Sequence, residues 1–276
     1  MYYTFFGLAA FAIPDKMMSM YQADTPSGAK NQRLIMAILS LLGFSLMWFA
    51  GNIRSGTKFQ KAEAKGVAGF GAFLLGIMNL FFGVTRDIPF ATKVGMPLNG
   101  VYFNLGIAAF TALCGFGLWS DAGKKMPNCF NCLKFGSLQE AAISYAAIVQ
   151  GFFGLMMVFA PDMMNAQYFK AGYTEDTMNW VNQLMGAWGQ VMIATSAMHC
   201  SFNGVSDDDT KTRVCRDIWI NNSSQMAIWI VWRQIYISEG NIDDAQAQMM
   251  NMGICFVGSW LGGFAYSAAT SKDKKA

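Results

Sequence analysis

The stretch FFGLAAFAIPDKM at positions 5–17 returns 147 residues later as FFGLMMVFAPDMM at positions 152–164. Seven positions are identical in the two copies: Phe5, Phe6, Gly7, Leu8, Pro14, Asp15 and Met17. Self-similarity at a fixed spacing is the sequence signature of a repeated structural unit. Each copy is a mostly apolar run that a proline interrupts, which indicates a helix with a break near its end.

The same spacing recurs far downstream, where Asn104 and Asn251 are again 147 residues apart. Between these anchors the spacing drifts to 151, because the Asn-Gln pair at 31–32 matches the pair at 182–183. A shift of this size fits an insertion in a loop. The pattern therefore predicts a duplication that runs through most of the chain.

The duplication predicts three parts of the chain. Residues 1–125 form a first four-helix repeat, residues 126–139 a connecting loop, and residues 140–276 a second four-helix repeat. Four spans per repeat is an even number, so both repeats have the same orientation. The pseudo-two-fold axis that relates such parallel repeats runs along the membrane normal.

Composition places the 276-residue chain among membrane proteins. Hydrophobic residues make up 54% and charged residues 13%, and the mean hydropathy is +0.28. A soluble domain carries about 25% charged residues. The net charge of +3 is too small to indicate a nucleic-acid partner. We expect an all-α integral membrane bundle whose partners are membrane lipids and other membrane protein subunits.

About eight segments are long and apolar enough to be transmembrane helices, which need roughly 20 mostly apolar residues. They are residues 2–20, 34–53, 67–84, 98–119, 141–161, 180–200, 218–237 and 249–268. The termini and the loops after the second, fourth and sixth spans hold 13 of the 20 Lys and Arg residues. Because basic residues favour the cytosolic, matrix or stromal side, we expect both termini there.

Cysteines and the single histidine offer one candidate metal or disulfide site. Cys129 and Cys132 form a CxxC motif, and His199, Cys200 and Cys215 are expected on the same membrane face. This spacing suits a redox pair or half of a zinc site. The alternative is reduced thiols without a role and a histidine at the membrane interface. One histidine excludes a multi-histidine metal site or bis-histidine haem within the chain.

The seventh span carries a polar face. Asp217, Asn221, Ser224 and Gln225 follow each other at helical spacing. Unpaired polar groups in lipid are costly, so these side chains must face the bundle or a partner. They form either a cavity for a ligand or interhelical hydrogen bonds.

Two pairs of polar residues recur at equivalent positions of the two repeats. Asn104 and Asn251 suit either a ligand site or structural hydrogen bonds. Arg86 and Arg233 are expected at span ends, where basic side chains extend to the head groups.

Motifs for catalysis are absent from the sequence. It contains no phosphate-binding loop, dinucleotide fingerprint or HExxH motif. Asp15, Asp162 and Asp217 all lie near predicted span ends, so we expect no carboxylate deep in a span. Proton-coupled transport usually requires one. We therefore expect no catalytic residue and favour a protein without enzyme activity, with thiol chemistry at Cys129 and Cys132 as the open alternative.

Each half resembles the small four-span DoxX-like membrane proteins. The resemblance rests on a first helix that ends in a proline-containing run, FAIPDKMMSMY at 11–21 and FAPDMMNAQY at 159–168, followed by a helix rich in Gly and Ala. It implies a four-helix fold for each half and transfers no catalytic residue.

These features lead us to expect a non-catalytic subunit of a larger membrane complex, respiratory or photosynthetic in kind. It would pack against other subunits in an organelle inner or thylakoid membrane and hold lipids or pigments. The alternative is a small-molecule or lipid transporter with a site near the polar seventh span. A third reading is a thiol-redox or metal-binding membrane protein.

Overall fold

The computed structural model describes residues 2–20, 26–58, 62–123, 133–168, 173–238 and 245–273. Within these ranges the chain is helical and contains no strand. The helices are α1 Tyr2–Ala12, α2 Pro14–Met20, α3 Ala29–Lys58, α4 Ala62–Phe82, α5 Ile88–Lys93, α6 Leu98–Asp121, α7 Leu138–Phe159, α8 Pro161–Tyr168, α9 Glu175–Asn203, α10 Asp208–Ser238 and α11 Ala245–Asp273. A π-helical turn, Gly83–Asp87, joins α4 to α5.

Proline breaks the first helix of each half. Pro14 starts α2 and Pro161 starts α8, each separated from the preceding helix by a single residue. Proline has no N–H to donate and its ring displaces the carbonyl four positions earlier. The helical hydrogen bonds of α7 continue up to the break, since the Ala160 N–H donates to the Met156 carbonyl over 2.8 Å. The broken helix that the repeated motif predicts is therefore present at both positions.

Helix boundaries recur along the chain at the spacing of the sequence repeat. The ends of α1 and α7, the starts of α2 and α8, and the starts of α6 and α11 all match at that spacing. The starts of α3 and α9, and those of α4 and α10, match with a displacement of a single position. Among the described residues, helix α5 and the π-helical turn have no counterpart between α10 and α11.

Close glycine contacts join α1 to α3 and α7 to α9. A Cβ atom on Gly43 would lie 2.5 Å from the Gly7 carbonyl oxygen. One on Gly189 would lie 2.7 Å from the Gly154 carbonyl oxygen. Small residues at such crossings allow membrane helices to approach backbone to backbone. Gly43 and Gly189 are thus separated by nearly the main spacing of 147 residues, and not by the 151 residues that separate the two Asn-Gln pairs.

The last two long helices of each half meet in a similar way. A Cβ on Gly115 of α6 would lie 2.7 Å from the Gly69 carbonyl oxygen of α4. A Cβ on Gly262 of α11 would lie 2.9 Å from the Cys215 carbonyl oxygen of α10. The repeat aligns Gly115 with Gly262, so these two contacts are also equivalent in the two halves.

Helix α9 forms the centre of the bundle. It packs against α3, α4 and α7, and 17 of its 29 residues are buried. By contrast, α6 and α11 expose large apolar side chains, including Phe110, Leu113, Phe256 and Trp260. Such a surface suits a lipid environment.

Five helices in the described ranges are long and apolar enough to cross a membrane. They are Ala29–Arg54, Ala62–Lys93, Leu98–Asp121, Leu138–Phe159 and Asn251–Ser271. This number is smaller than the eight expected. Helix α1 has only 11 residues, whereas α9 and α10 have 29 and 31 residues but are more polar. The structure therefore agrees with an all-helical integral membrane protein with several spanning helices.

Hydrogen bonds and an ion pair tie α7, α9 and α10 together near the start of α7. Lys211 Nζ lies 3.3 Å from Glu140 Oε1, and the two side chains are 11% and 18% exposed. Asn203 Nδ2 donates to Ser144 Oγ over 2.8 Å. These bonds satisfy polar groups that the helix ends would otherwise bury.

Candidate ligand-binding cavity

A cavity of about 220 Å³ lies between α1, α3, α4, α6 and α9. Most of its wall is apolar and includes Phe6, Leu42, Leu46, Leu105 and Val191. Polar side chains reach it from α4, α6, α9 and the π-helical turn: Asn79, Asp87, Asn104 and Gln183. A mostly apolar cavity with a few polar groups is the usual form of a small-molecule site.

The π-helical turn directs Asp87 towards this cavity. The Ile88 N–H donates to the Gly83 carbonyl, which inserts one extra residue into the helical turn. Gly83 lies directly under Leu105 of α6, so a side chain at position 83 would collide with it. A π-bulge changes which way the following side chains point and is frequent at functional sites.

One oxygen of Asp87 is held by two partners. Gln183 Nε2 of α9 donates a short hydrogen bond to Asp87 Oδ1. Arg86 Nε donates to the same oxygen over 3.4 Å. The carboxylate is thus fixed between α4 and α9, with its side chain 36% exposed.

Arg86 lies within the bundle. Its guanidinium carbon is 5.3 Å from the centre of the Phe82 ring, and the group occupies the space that a side chain on Gly186 would need. Only 24% of the side chain is exposed. Arg86 packs against α9 and pairs with Asp87, and its expected contact with lipid head groups stays a prediction. The side chain of its counterpart, Arg233, lies outside those that the structure describes.

Asp87 is an acidic residue that the sequence placed just outside the third predicted span, residues 67–84. The helix continues beyond residue 84 through the π-helical turn to Lys93, so Asp87 belongs to the apolar segment Ala62–Lys93. The sequence contained a signal for a charged site here, because Arg86 and Asp87 are adjacent residues of opposite charge. What it did not reveal is that α5 extends the span past Pro89.

Tyrosine hydroxyls contribute a second polar region on the α6 side of the cavity. Tyr2 Oη donates to Asn104 Oδ1 over 3.1 Å, and Tyr3 Oη donates to Thr111 Oγ1 over 3.1 Å. Asn104, one of the two asparagines that the repeat singled out, therefore lines the cavity and bonds across to α1.

Its counterpart Asn251 lines a smaller cavity of about 70 Å³ in the second half. Phe153 and Ile254 line the smaller cavity, and their equivalents in the first repeat, Phe6 and Ile107, line the larger one. Methionines at positions 157, 164, 185 and 192 contribute much of the remaining wall. The two asparagines therefore occupy similar places in cavities of different size.

The polar face of α10 forms hydrogen bonds within α10 and a contact with α11. Asn221 is 2% exposed and accepts a hydrogen bond from Gln225 Nε2 over 3.4 Å. Both line a cavity of only about 40 Å³. Ser224 is half-buried, and Asp217 Oδ1 accepts from the neighbouring Arg216 Nη2 over 3.0 Å. Gln225 also contacts α11, since Cys255 Sγ lies 3.7 Å from Gln225 Oε1 and donates to it.

No metal site is visible around His199. Its ring is completely buried, and neither nitrogen has a hydrogen-bond partner among the residues described. Cys215 is buried with its Sγ 3.8 Å from the Gln139 carbonyl oxygen, and Cys200 is half-buried. No three His, Cys, Asp or Glu side chains come together as a metal site in the described ranges. Cys129 and Cys132 lie outside those ranges.

The chain matches no protein-family model, and comparison with curated proteins and with solved structures finds no match.

Proposed function

We propose that this protein is a non-catalytic membrane protein that binds one small amphipathic molecule inside its helical bundle. The observation that carries the proposal is the 220 Å³ cavity, whose wall is apolar except for a few fixed polar side chains. Apolar walls hold the body of such a molecule, and the Asp87–Gln183 pair fixes its polar end. The proposed ligand site therefore lies in the cavity of the first half, and not at the polar face of α10.

The volume limits the size of the ligand. A cavity of about 150 Å³ in a protein core binds benzene, whereas drug-sized ligands occupy about 300 Å³ or more. The 220 Å³ cavity lies between these values. We therefore propose a ligand somewhat larger than benzene, or one part of a longer lipid.

Ala187 provides a way to fill the cavity. It lies on α9 and lines the wall, so Ala187→Phe places a ring in the space. Ala268→Phe adds the same volume at an exposed position of α11 and serves as the control. Native mass spectrometry of each variant, purified in mild detergent, then reports what remains bound.

The proposal predicts a bound small molecule on the wild type and on Ala268→Phe, and its loss from Ala187→Phe. Equal adducts on all three proteins, or an empty wild type, would reject the cavity as the binding site.

The architecture proposed for this site is eight spans in two parallel four-helix repeats, as in the DoxX-like resemblance. The recurring helix boundaries and the paired contacts Gly7–Gly43 and Gly154–Gly189 support it. Helix α9 does not need to be strongly apolar, because protein covers it on several sides. In an experimental structure, residues 5–120 should superpose on 152–267 by a rotation near 180° about the membrane normal. A different helix order would reject the duplication.

A second candidate function is that of a subunit in a larger respiratory or photosynthetic complex of an organelle membrane. The supporting observation is an open groove of about 570 Å³ on α10 and α11, lined by Trp219, Ser259, Trp260 and Gly263. Phe116, which the repeat aligns with Gly263, packs instead against Phe73 in the first half. A partner side chain, lipid or pigment would fill the groove. Stable co-migration with an assembly in mild detergent supports this function, and migration as a lone chain opposes it.

A third candidate function is transport of the ligand. The cavity of the first half supports this function better than the polar face of α10 does. Reconstitution of the purified chain into liposomes tests it. Saturable flux of a neutral amphiphile that Ala187→Phe abolishes would replace the non-catalytic binding role with transport.

A further inference from the structure

We propose that the polar end of the ligand is an uncharged hydroxyl group, which donates a hydrogen bond to Asp87 Oδ2. This inference rests on the proposed function, because it names the chemical class of the molecule in the same cavity. Three observations carry it: the free acceptor on Asp87, the orientation of Gln183, and the charge balance with Arg86.

The second oxygen of Asp87 is available to a ligand. Oδ1 takes the hydrogen bonds from Gln183 and Arg86, whereas Oδ2 has no hydrogen-bond partner among the residues that the structure describes. It lies 4.0 Å from the position that a Cβ on Gly83 would occupy, and both residues line the cavity. A carboxylate oxygen accepts hydrogen bonds only, so its partner must be a donor.

Gln183 presents a second acceptor. Its Nε2 must face Asp87, since two acceptor oxygens would repel each other there. The carbonyl Oε1 is then left for other partners, and Gln183 lines the cavity. This end of the cavity therefore offers acceptors to a ligand and suits an O–H or N–H group.

The charge of the site distinguishes a hydroxyl from an ammonium. Asp87 is paired with Arg86 at 3.4 Å, so the two side chains together carry no net charge. An ammonium ligand would leave one positive charge in a largely apolar cavity, where an unpaired charge is costly. A carboxylate ligand would place its oxygens against two acceptors. A hydroxyl donates to the free oxygen without adding charge.

Four probes of one shape separate these possibilities: benzyl alcohol, toluene, benzylamine and benzoate. Each consists of a benzene ring with one small substituent, so the whole molecule is slightly larger than benzene and fits the volume of the cavity. Equilibrium dialysis against nanodiscs with and without the protein gives the bound amount of each probe after subtraction of lipid partitioning. We expect benzyl alcohol to bind about tenfold more tightly than toluene, as for one hydrogen bond to a charged group. Benzylamine and benzoate should bind more weakly than the alcohol.

Asp87→Asn removes the proposed acceptor while keeping the shape of the side chain. The preference for benzyl alcohol over toluene should fall to about threefold or less, with toluene binding unchanged. Asp162→Asn is the matched control, because Asp162 also accepts a hydrogen bond from an amide, Asn182 Nδ2 at 2.5 Å, but does not line the cavity. Gln183→Met is a second variant that leaves Asp87 in place, and it should lower the same preference.

The outcomes separate the inference from the proposed function. If toluene and benzyl alcohol bind equally, or benzoate or benzylamine binds best, the cavity binds ligands but the hydroxyl assignment is wrong. An unchanged preference in both Asp87→Asn and Gln183→Met also overturns it. If no probe binds above the empty nanodiscs, and Ala187→Phe changes nothing, the proposed function itself fails.

Discussion

Gly43 packs directly on Gly7, so that a Cβ atom on Gly43 would lie 2.5 Å from the Gly7 carbonyl oxygen. Gly189 of α9 meets Gly154 of α7 in the same way. The wall of the cavity depends on the first contact, because α1 and α3 both line it. The crossing of α1 and α3 therefore helps to shape the cavity.

Gly43→Ala should lower the free energy of unfolding by about 1–3 kcal/mol, because the added methyl group has to push α1 and α3 apart. Gly189→Ala should cost a similar amount at the corresponding contact. Unfolding in a mixed detergent, followed by circular dichroism, measures both.

Gly117→Ala is the matched control on α6, since no atom lies within 4 Å of the added Cβ. It should be neutral or stabilise by up to about 1 kcal/mol, because alanine has the higher helix propensity. If Gly43→Ala behaves like Gly117→Ala, the close packing is not present in the folded protein.

The ion pair between Glu140 and Lys211 should show strong coupling. Glu140→Gln leaves a mostly buried ammonium without its carboxylate, and we expect a loss of roughly 2–4 kcal/mol. Lys211→Met should cost a comparable amount, and the double variant less than the sum. A double-mutant cycle with a coupling energy near zero would contradict the contact.

His199→Leu should raise the free energy of unfolding by about 1 kcal/mol, because the ring is completely buried and its desolvation is uncompensated. Neither ring nitrogen has a hydrogen-bond partner among the described residues. Leucine has a similar volume and no polar atom. Thermal unfolding measures the change, and a clear loss of stability would indicate a bonding partner for the histidine.

Topology can be tested with single cysteines in a chain whose native cysteines are replaced. Ser120→Cys and Ser271→Cys lie at exposed ends of α6 and α11, whereas Ser27→Cys precedes α3. Eight spans place the first two on one face of the membrane and the third on the other. Labelling of positions 27 and 271 from the same face would contradict that arrangement.

The helical class and the proline breaks could be predicted from the sequence, because both depend on local chemistry. Runs of apolar residues and the prolines at 14 and 161 determine where helices form and stop. The repeated motif contains Gly7, but its contact with Gly43 was not predicted, because a helix crossing depends on two distant segments.

The cavity could not be predicted, because its polar side chains come from separate helices. Asn104 was singled out by the repeat, but Asp87 and Gln183 meet only through the π-helical turn and the position of α9. No local pattern in GVTRD reveals an inserted residue. The polar face of α10, by contrast, is prominent in the sequence, and Gln225 on this face contacts Cys255 of α11 over 3.7 Å.

The most direct test is an experimental density map of the protein purified in lipid nanodiscs without added ligand. The account predicts non-protein density between Asp87, Gln183 and Leu42, with its polar end within hydrogen-bond distance of Asp87 Oδ2. The same map of Ala187→Phe should show the phenylalanine ring there instead. A wild-type map in which protein side chains close the space between α1, α3, α4, α6 and α9 would contradict the account.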